Sequence, residues 1–381
     1  MTVRMIDEGS YADVMTHTVL PALDACRTEG WYDPTEAERA AGLAPLPWTP
    51  GSSRHGATAE RGAIHYQRYD ASLFDREAQD GATATFRGAV VISHGFTEFA
   101  DKYAELVWYF LLEGYSVCVM EHRGHGRSAR DVDGDSLVWI DDWRRYVADL
   151  AGFARTIGRD AADGGPLHLF AHSMGGGIGA AVLERHPSLF DKAVLSSPMI
   201  APRTGMPLWF TRLLIGAFCA CGQGRRRVIG HHDFDGTLDL TAYALSSEAR
   251  ERWYHALRCA EPCRQSNAAA FDWVRQALEL SRAVLDPRAC ARIETPILLF
   301  QAGRDAWVRN REQDLFVRRV RDGYGTGGSG LHDADDAGDD RSGVAFVRIP
   351  ESQHEVFSMP NDVYRPYLER ILAFYEEPLA L

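Results

Sequence analysis

The 381-residue chain lacks any uncharged apolar run long enough to span a membrane as a helix. The nearest candidate, residues 207–221, is too short and is interrupted by Arg212. Residues 1–8 also lack the apolar core of a secretory signal peptide. From these absences we expect a cytoplasmic protein, at most peripherally attached to a membrane.

The chain is also poor in positive charge and in paired cysteines. Its 41 Lys and Arg residues face 53 Asp and Glu residues, so the formal net charge is −12, which argues against a nucleic-acid partner. Seven cysteines lack the C-x-x-C pairs of structural zinc, and free thiols fit a reducing cytoplasm. The run His231-His232-Asp233 with Asp235 lacks regular ligand spacing. We expect neither a bound metal nor an organic cofactor.

Apolar strands and helices alternate along much of the chain. Continuous apolar runs predict strands buried on both faces at residues 88–93 and 115–120. Further strands are predicted at residues 63–69, where the pattern alternates, and at 167–170, 193–197, 296–301 and 344–349. Helices are predicted between them, at residues 101–112, 141–157, 178–184 and 363–375. This alternation predicts an α/β fold, with a mostly parallel central sheet and helices on both faces.

The alternation stops between the strands at 193–197 and 296–301, where strand character is nearly absent. We interpret this block as a helical cap inserted into the sheet domain; a continuation of the main domain is the alternative. The predicted division is an irregular N-terminal extension at 1–60, an α/β core at 61–198 and 288–381, and a cap at 199–287. A Gly- and Asp-rich stretch at 323–343 is expected to be a surface loop.

The strand at 167–170 runs directly into Ala171-His172-Ser173-Met174-Gly175, and a helix-compatible stretch follows. A serine in a tight turn between strand and helix is typical of a nucleophile elbow. The turn needs small neighbours, because strand and helix approach closely there. Gly175 supplies one, whereas Ala171 stands where glycine is commoner. Ser173 is therefore the candidate nucleophile, and a serine that merely occupies a turn is the alternative.

A serine nucleophile needs a base and a group that orients the base. Asp305 follows the strand at 296–301, and His354 follows the strand at 344–349. The chain order of serine, acid and histidine is that of α/β-hydrolases, and ends of parallel strands meet at one sheet edge. Asp305 as a helix cap or turn residue, and His354 as one of 14 histidines without a special role, are the alternatives. We predict a Ser173–His354–Asp305 triad.

Acyl transfer also needs hydrogen-bond donors for the developing oxyanion. The backbone N–H of Met174, directly after the nucleophile, is one candidate, and that of Phe96, after the turn at Gly95, is the other. In the cap, Phe210 and Leu214 belong to an apolar cluster. We predict that they line an acyl-chain pocket or touch a lipid surface; ordinary packing within the cap is the alternative.

These motifs resemble the monoacylglycerol lipase and lysophospholipase L2 branch of the α/β-hydrolase superfamily. The resemblance covers residues 62–377 and rests on His94-Gly95-Phe96-Thr97-Glu98 with Lys102-Tyr103, Glu121-His122-Arg123-Gly124-His125-Gly126-Arg127-Ser128, Ala171-His172-Ser173-Met174-Gly175-Gly176, Gly303-Arg304-Asp305 and His354-Glu355-Val356. It implies the α/β-hydrolase fold with a helical cap and a serine hydrolase acting on monoacylglycerols or lysophospholipids. The sequence departs from the family pattern at Ala171 and at Glu121, where aspartate is usual.

The sequence therefore predicts a serine hydrolase that cleaves carboxylic esters of single-chain lipids through an acyl-enzyme. An acyltransferase, thioesterase or peroxidase-like enzyme with the same site is one alternative. A binding protein that uses a hydrolase scaffold without catalysis is the other.

Overall fold

The computed structural model describes residues 3–46, 63–76, 85–323 and 343–378. Eight strands form one sheet in the order β1-β2-β4-β3-β6-β7-β9-β10. Their bounds are Arg27–Tyr32 (β1), Ile64–Tyr69 (β2), Ala89–Ser93 (β3), Ser116–Met120 (β4), Leu167–His172 (β6), Lys192–Ser196 (β7), Ile297–Ala302 (β9) and Val344–Ile349 (β10). A separate two-stranded pair joins β5 (Leu137–Val138) to β8 (Ala268–Ala269).

The sheet is parallel from β4 to β10, and only β1 and β2 run antiparallel to their neighbours. Every residue of β3, β4, β6 and β7 is buried, as expected for strands covered on both faces. Successive residues of a strand point to opposite faces, and Val90 and Val91 accordingly join two different core clusters. The predicted α/β-hydrolase fold is confirmed.

Helices cover both faces of this sheet. Their bounds are Tyr11–Val14 (α1), Leu20–Cys26 (α2), Thr35–Ala40 (α3), Ala104–Leu112 (α4), Arg144–Phe153 (α5), Arg159–Ala162 (α6), Ser173–Arg185 (α7), Leu208–Ala220 (α8), Glu248–Ala260 (α9), Phe271–Val284 (α10), Pro287–Cys290 (α11), Asn310–Gly323 (α12) and Asn361–Glu376 (α13). One core cluster contains α5, α7 and α12, and the other contains α4, α13 and the N-terminal helices.

The prediction of an irregular N-terminal extension is wrong for residues 3–46. This segment supplies α1, α2 and the edge strand β1, and α3 then packs against α5. Two buried arginines hold α3 in place, because Arg123 and Arg145 both donate to Glu38, at 2.8 and 3.0 Å. Residues 47–60 of the predicted extension lie outside the described residues.

Between β7 and β9 the described chain contributes no strand to the main sheet. It contains α8, α9, α10 and α11 instead. Helix α10 buries Trp273, Ala277 and Leu280 in the same core cluster as α7, so part of the predicted cap shares the core of the sheet domain. The cap boundaries at 199 and 287 stay a prediction, and residues 324–342 of the Gly- and Asp-rich stretch lie outside the described residues.

All seven cysteines are free thiols. Within the described ranges, no helix combines the length and the apolar character needed to cross a bilayer.

Candidate active site

The predicted nucleophile lies at the junction of β6 and α7. The strand ends at His172 and the helix begins at Ser173, whose φ is 51°. A left-handed conformation in a non-glycine residue is strained and persists only where the surrounding structure enforces it. Strand and helix approach so closely here that a Cβ on Gly175 would lie 2.2 Å from the Ser93 carbonyl oxygen. This geometry is that of a nucleophile elbow.

The alanine at position 171 fits this elbow because the facing helix position is a glycine. Ala171 is fully buried, and a Cβ built on Gly179 would lie 3.2 Å from the Ala171 Cβ. The Ala171 methyl group, which departs from the family pattern, therefore fills the space that a side chain at position 179 of α7 would otherwise occupy.

The structure brings the three predicted triad residues together. The Ser173 Oγ lies 2.7 Å from His354 Nε2, and His354 Nδ1 lies 2.7 Å from Asp305 Oδ2. Because a carboxylate only accepts hydrogen bonds, Nδ1–H donates to Asp305, and Nε2 is left to accept from the serine hydroxyl. Each of the three residues is less than 9% exposed. An imidazole in this tautomer can take the serine proton directly.

Asp305 is held as an anion by its surroundings. Its Oδ1 accepts hydrogen bonds from the N–H groups of Trp307 and Val308, at 2.8 and 2.9 Å. Burial acts to raise the pKa of this carboxyl, but the charge and hydrogen bond of His354, with the two N–H donors, hold the pKa below its usual value. One oxygen is thus fixed by the backbone, and the other is free to orient the histidine.

The two predicted oxyanion donors are backbone groups. Met174 is the second residue of α7, and the first N–H groups of a helix have no partner within the helix. The Phe96 N–H belongs to the same peptide group as the Gly95 carbonyl, and no peptide bond among the described residues is cis. Fixing that carbonyl therefore points the Phe96 N–H in the opposite direction.

His94 provides this fixation. Its Nδ1 lies 2.7 Å from the Gly95 oxygen, and its Nε2 accepts from the His122 N–H at 2.8 Å. The His94 ring faces a carbonyl oxygen at Nδ1 and an N–H group at Nε2, so it is the neutral tautomer with the proton on Nδ1. Burial disfavours the charged form and lowers the pKa of His94. Its role is to orient a peptide group.

Glycine suits the position after His94, because a carboxylate and an imidazole pack closely against it. The Gly95 N–H donates to Glu98 Oε2 at 2.6 Å, and a Cβ on Gly95 would lie 3.0 Å from both the Glu98 carboxyl and the His172 ring. Thr97, two residues after Gly95, has a left-handed backbone with a φ of 66°. We call residues 94–98 the oxyanion loop.

Glu121, the second departure from the family pattern, ties together backbone that lies outside the oxyanion loop. Its carboxylate accepts from the N–H groups of Ala100 and Arg127, at 2.9 and 2.7 Å, and contacts His65 Nδ1 at 2.9 Å. Burial acts to raise the pKa of Glu121, but these hydrogen bonds and the His65 charge lower it to about 2. The longer side chain thus keeps an anion where the family has aspartate.

Among the described residues, one group has enough carboxylate and imidazole atoms close together to hold a metal: Glu98, His172 and Glu355. The Lys102 ammonium already lies between the two carboxylates, 2.7 Å from Glu98 and 2.6 Å from Glu355. Burial acts to lower the pKa of Lys102, but both carboxylates hold it well above its ordinary value. A protein cation therefore takes the place of an ion in this cluster.

His172 lies against the predicted base, with ring centroids 4.9 Å apart. Burial is the main reason that the pKa of His172 falls to about 4, and the charge of His354 lowers it further. His354 therefore has an uncharged neighbour at neutral pH.

Phe210 and Leu214 lie on α8, where the structure leaves an apolar face open to solvent. They are 40% and 36% exposed, and Trp209 and Leu213 are 68% and 65% exposed. The helix buries only Thr211 and Ile215. This distribution differs from ordinary cap packing, because four large apolar side chains remain accessible. The role of Phe210 and Leu214 in substrate binding stays a prediction.

A buried glutamate on α9 predicts that stability depends on pH. Burial and the nearby Glu355 charge raise the pKa of Glu251 to about 8. In the unfolded chain a glutamate titrates near 4.3, so between about pH 5 and pH 8 the folded state binds one proton more. Stability therefore falls as pH rises through this window, by at most about 1.4 kcal/mol per pH unit.

The Glu251→Gln variant removes this proton uptake. We expect its melting temperature to exceed that of the wild type at pH 8 and the difference to shrink towards pH 5. Glu248→Gln on the same helix, where the side chain is 64% exposed, is the matched control and should leave the pH dependence intact. Thermal melts across this range check the prediction, and a Glu251→Gln protein that melts lower than wild type at pH 8 would contradict it.

Comparison with known proteins identifies the family of this chain. A profile of the family described as serine aminopeptidase, S33, matches residues 84–324. The lysophospholipase L2 of Escherichia coli K12 is 31% identical over 234 residues, which are 60% of this chain and 66% of that protein. A monoacylglycerol lipase of Mycolicibacterium smegmatis is 36% identical over 122 residues, 32% of this chain and 41% of that protein. The motif resemblance found in the sequence is thus confirmed.

Among solved structures, a soluble variant of the Saccharomyces cerevisiae monoglyceride lipase in complex with a substrate analogue is similar. It has a TM-score of 0.60 at 19% identity, over 87% of this chain and 98% of that one. At this identity the similarity concerns the fold alone. The curated E. coli relative is matched over just under two thirds of its length.

Proposed function

The chain belongs to the serine aminopeptidase S33 family, and we propose that it is a serine hydrolase that cleaves carboxylic esters. The observation that carries this proposal is the continuous hydrogen-bonded chain from Ser173 through His354 to Asp305, with both links 2.7 Å long. The strained elbow beneath Ser173 supports it, because strain of this kind concentrates at functional sites.

The reaction proceeds in two halves. His354 takes the proton of the Ser173 hydroxyl as Oγ attacks the ester carbonyl, and the carbonyl oxygen becomes an anion facing the N–H groups of Phe96 and Met174. The imidazolium, stabilised by Asp305, then gives its proton to the departing alcohol and an acyl-enzyme remains. Water then attacks the acyl carbonyl carbon and gives a proton to His354, which passes it to Ser173 Oγ as the bond to Oγ breaks and the carboxylic acid leaves. No step uses a metal or an organic cofactor.

The substrates we propose are esters of single-chain lipids, either lysophospholipids or monoacylglycerols. The names of the curated relatives, lysophospholipase L2 and monoacylglycerol lipase, support both classes. The exposed apolar face of α8 supports a long acyl chain or a lipid surface as the partner of the cap. A cytoplasmic location, with peripheral contact at a membrane, remains a prediction.

The test is direct. The purified chain is incubated with a fluorophosphonate probe and, separately, with lysophosphatidylcholine, monoacylglycerols and p-nitrophenyl esters in water. Labelling at Ser173 together with release of free fatty acid supports the proposal. If Ser173 is labelled but turnover occurs only when an alcohol or thiol acceptor is added, the result would favour an acyltransferase. Neither labelling nor turnover would favour a binding protein.

The position of Phe210 and Leu214 on α8 predicts an effect on chain-length preference. Each methylene buried against apolar side chains contributes about 0.8 kcal/mol, so affinity should rise with acyl length until the pocket is full. Replacing both residues by serine should raise KM for decanoyl esters at least tenfold and leave KM for butyryl esters within about twofold. Equal losses for both esters, or a lower melting temperature that explains them, would contradict the pocket.

The same helix offers a matched control. Trp209 and Leu213 are the more exposed pair, so we assign them to the lipid surface. Replacing both by serine should leave KM for monomeric esters unchanged and weaken sedimentation with phosphatidylcholine vesicles. If this pair changes chain-length preference as strongly as the Phe210 and Leu214 pair, the division of α8 into two faces is wrong.

A further inference from the structure

A buried ammonium connects the two loops that carry the catalytic groups. Lys102 lies on the single helical turn Ala100–Tyr103 that leads into α4, and its side chain is 3% exposed. Its Nζ donates to Glu98 Oε1 at 2.7 Å and pairs with Glu355 Oε2 at 2.6 Å. Glu98 belongs to the oxyanion loop, whereas Glu355 follows His354 in residues 350–358, which we call the histidine loop.

On one side, this ion pair acts on the oxyanion donor. The Glu98 carboxylate accepts from the Gly95 N–H and from the Tyr103 hydroxyl, both at 2.6 Å. Gly95 in turn contributes the carbonyl of the peptide group whose N–H belongs to Phe96. A displacement of the Glu98 carboxylate therefore changes the position of the peptide group that faces the oxyanion.

On the other side, the ion pair acts on the base. Glu355 is adjacent in sequence to His354, and its Oε2 also accepts from the Ser358 hydroxyl at 3.0 Å. The Lys102 ammonium lies 4.2 Å from the centre of the Tyr254 ring and 5.5 Å from that of Phe357. These rings exclude alternative positions for the ammonium, so that its two carboxylate partners stay where they are.

We propose that Lys102 is a positioning residue that holds the oxyanion loop and the histidine loop at the spacing acyl transfer requires, by bridging Glu98 to Glu355. This inference rests on the proposed function. The base and the oxyanion donors act on one carbonyl carbon, and a displacement of about 1 Å costs on the order of a hundredfold in rate. Without the ammonium, the buried Glu98 carboxylate and the half-buried Glu355 carboxylate repel each other and the loops separate.

The proposal predicts a loss in kcat without a matching change in KM. In Lys102→Met, we expect kcat for p-nitrophenyl butyrate to fall about a hundredfold and KM to stay within about threefold. Lys102→Arg, which keeps the charge, should recover most of the rate. In the double variant Lys102→Met with Glu355→Gln, one repelling charge is gone, so kcat should exceed that of Lys102→Met alone.

Arg264→Met is the matched control. Arg264 pairs with Asp101 at 2.6 Å, beside Lys102, but this pair does not join the two loops. The kcat of Arg264→Met should stay within about twofold of wild type. Active-site titration with the fluorophosphonate expresses every kcat per reactive site, so partial unfolding does not count as a loss of rate.

Turnover of the ester by the wild type tests the proposed function before any variant is compared. A wild type without turnover contradicts the proposed function, whereas the variants test the role of Lys102. The inference is overturned if Lys102→Met keeps a wild-type kcat per titrated site, or if Arg264→Met loses as much. Should Lys102→Met not fold, Glu355→Gln carries the test: we expect about a tenfold lower kcat at unchanged KM. An unchanged kcat in that variant overturns the inference equally.

Discussion

Replacing Ser173 by alanine should reduce turnover to background, a loss on the order of 10⁶-fold. The Ser173 Oγ lies 2.7 Å from His354 Nε2, and without it the proposed acyl-enzyme cannot form. Alanine and serine are strained alike at a φ of 51°, so the elbow itself should persist. Turnover, fluorophosphonate labelling and a thermal melt check this together.

Ser197 provides the matched control for this variant. It is also a buried serine with a left-handed backbone, at a φ of 43°, and it directly follows β7. Ser197→Ala should retain wild-type labelling and turnover within a few-fold. Covalent labelling that survives in Ser173→Ala, located by mass spectrometry, would show that the nucleophile lies elsewhere.

The second large effect concerns the acid. In Asp305→Asn, the amide oxygen should take the Oδ1 position, because the N–H groups of Trp307 and Val308 require an acceptor there. The amide NH₂ then faces His354 Nδ1, which must accept rather than donate. The proton moves to Nε2, and the imidazole can no longer take the proton of the Ser173 hydroxyl. Turnover should fall about 10⁴-fold, the magnitude measured for this change in a serine protease.

This prediction also has a control on the same part of the sheet. Asp314 lies on α12, after β9, and accepts from Gln301 and Arg348 away from the triad. Asp314→Asn should keep kcat within about threefold of wild type. If Asp305→Asn turns over within tenfold of wild type, another carboxylate orients His354.

Much of the core could be read from local sequence, because its strands are buried on both faces and therefore appear as continuous apolar runs. The elbow was visible for a related reason: a strand, a serine and small residues in direct succession leave few other conformations. Asp305 and His354 could be placed because each follows a predicted strand, and strand ends of a parallel sheet converge. Their close contact still depended on strands far apart in the sequence.

The edge strand β1 could not be predicted from its own residues. Arg27–Tyr32 contains no apolar alternation, and four of its six residues are polar or glycine. It forms a strand because its backbone pairs with β2 over six residue pairs, and the preceding helices α1 and α2 pack into the core. Backbone pairing of this kind leaves no pattern in the side chains.

The sequence by itself determined the order of the central strands and helices and the elbow, and it singled out Ser173, His354 and Asp305 as the predicted triad, since each of these depends on neighbouring residues or on a strand end. Only the tertiary structure decided which charges meet. Lys102 contacts Glu355 across more than 250 residues, and Glu251 approaches the same cluster from α9. The spacing of these residues along the chain does not predict the contacts. Charges so far apart in the sequence meet only when whole helices and strands pack together.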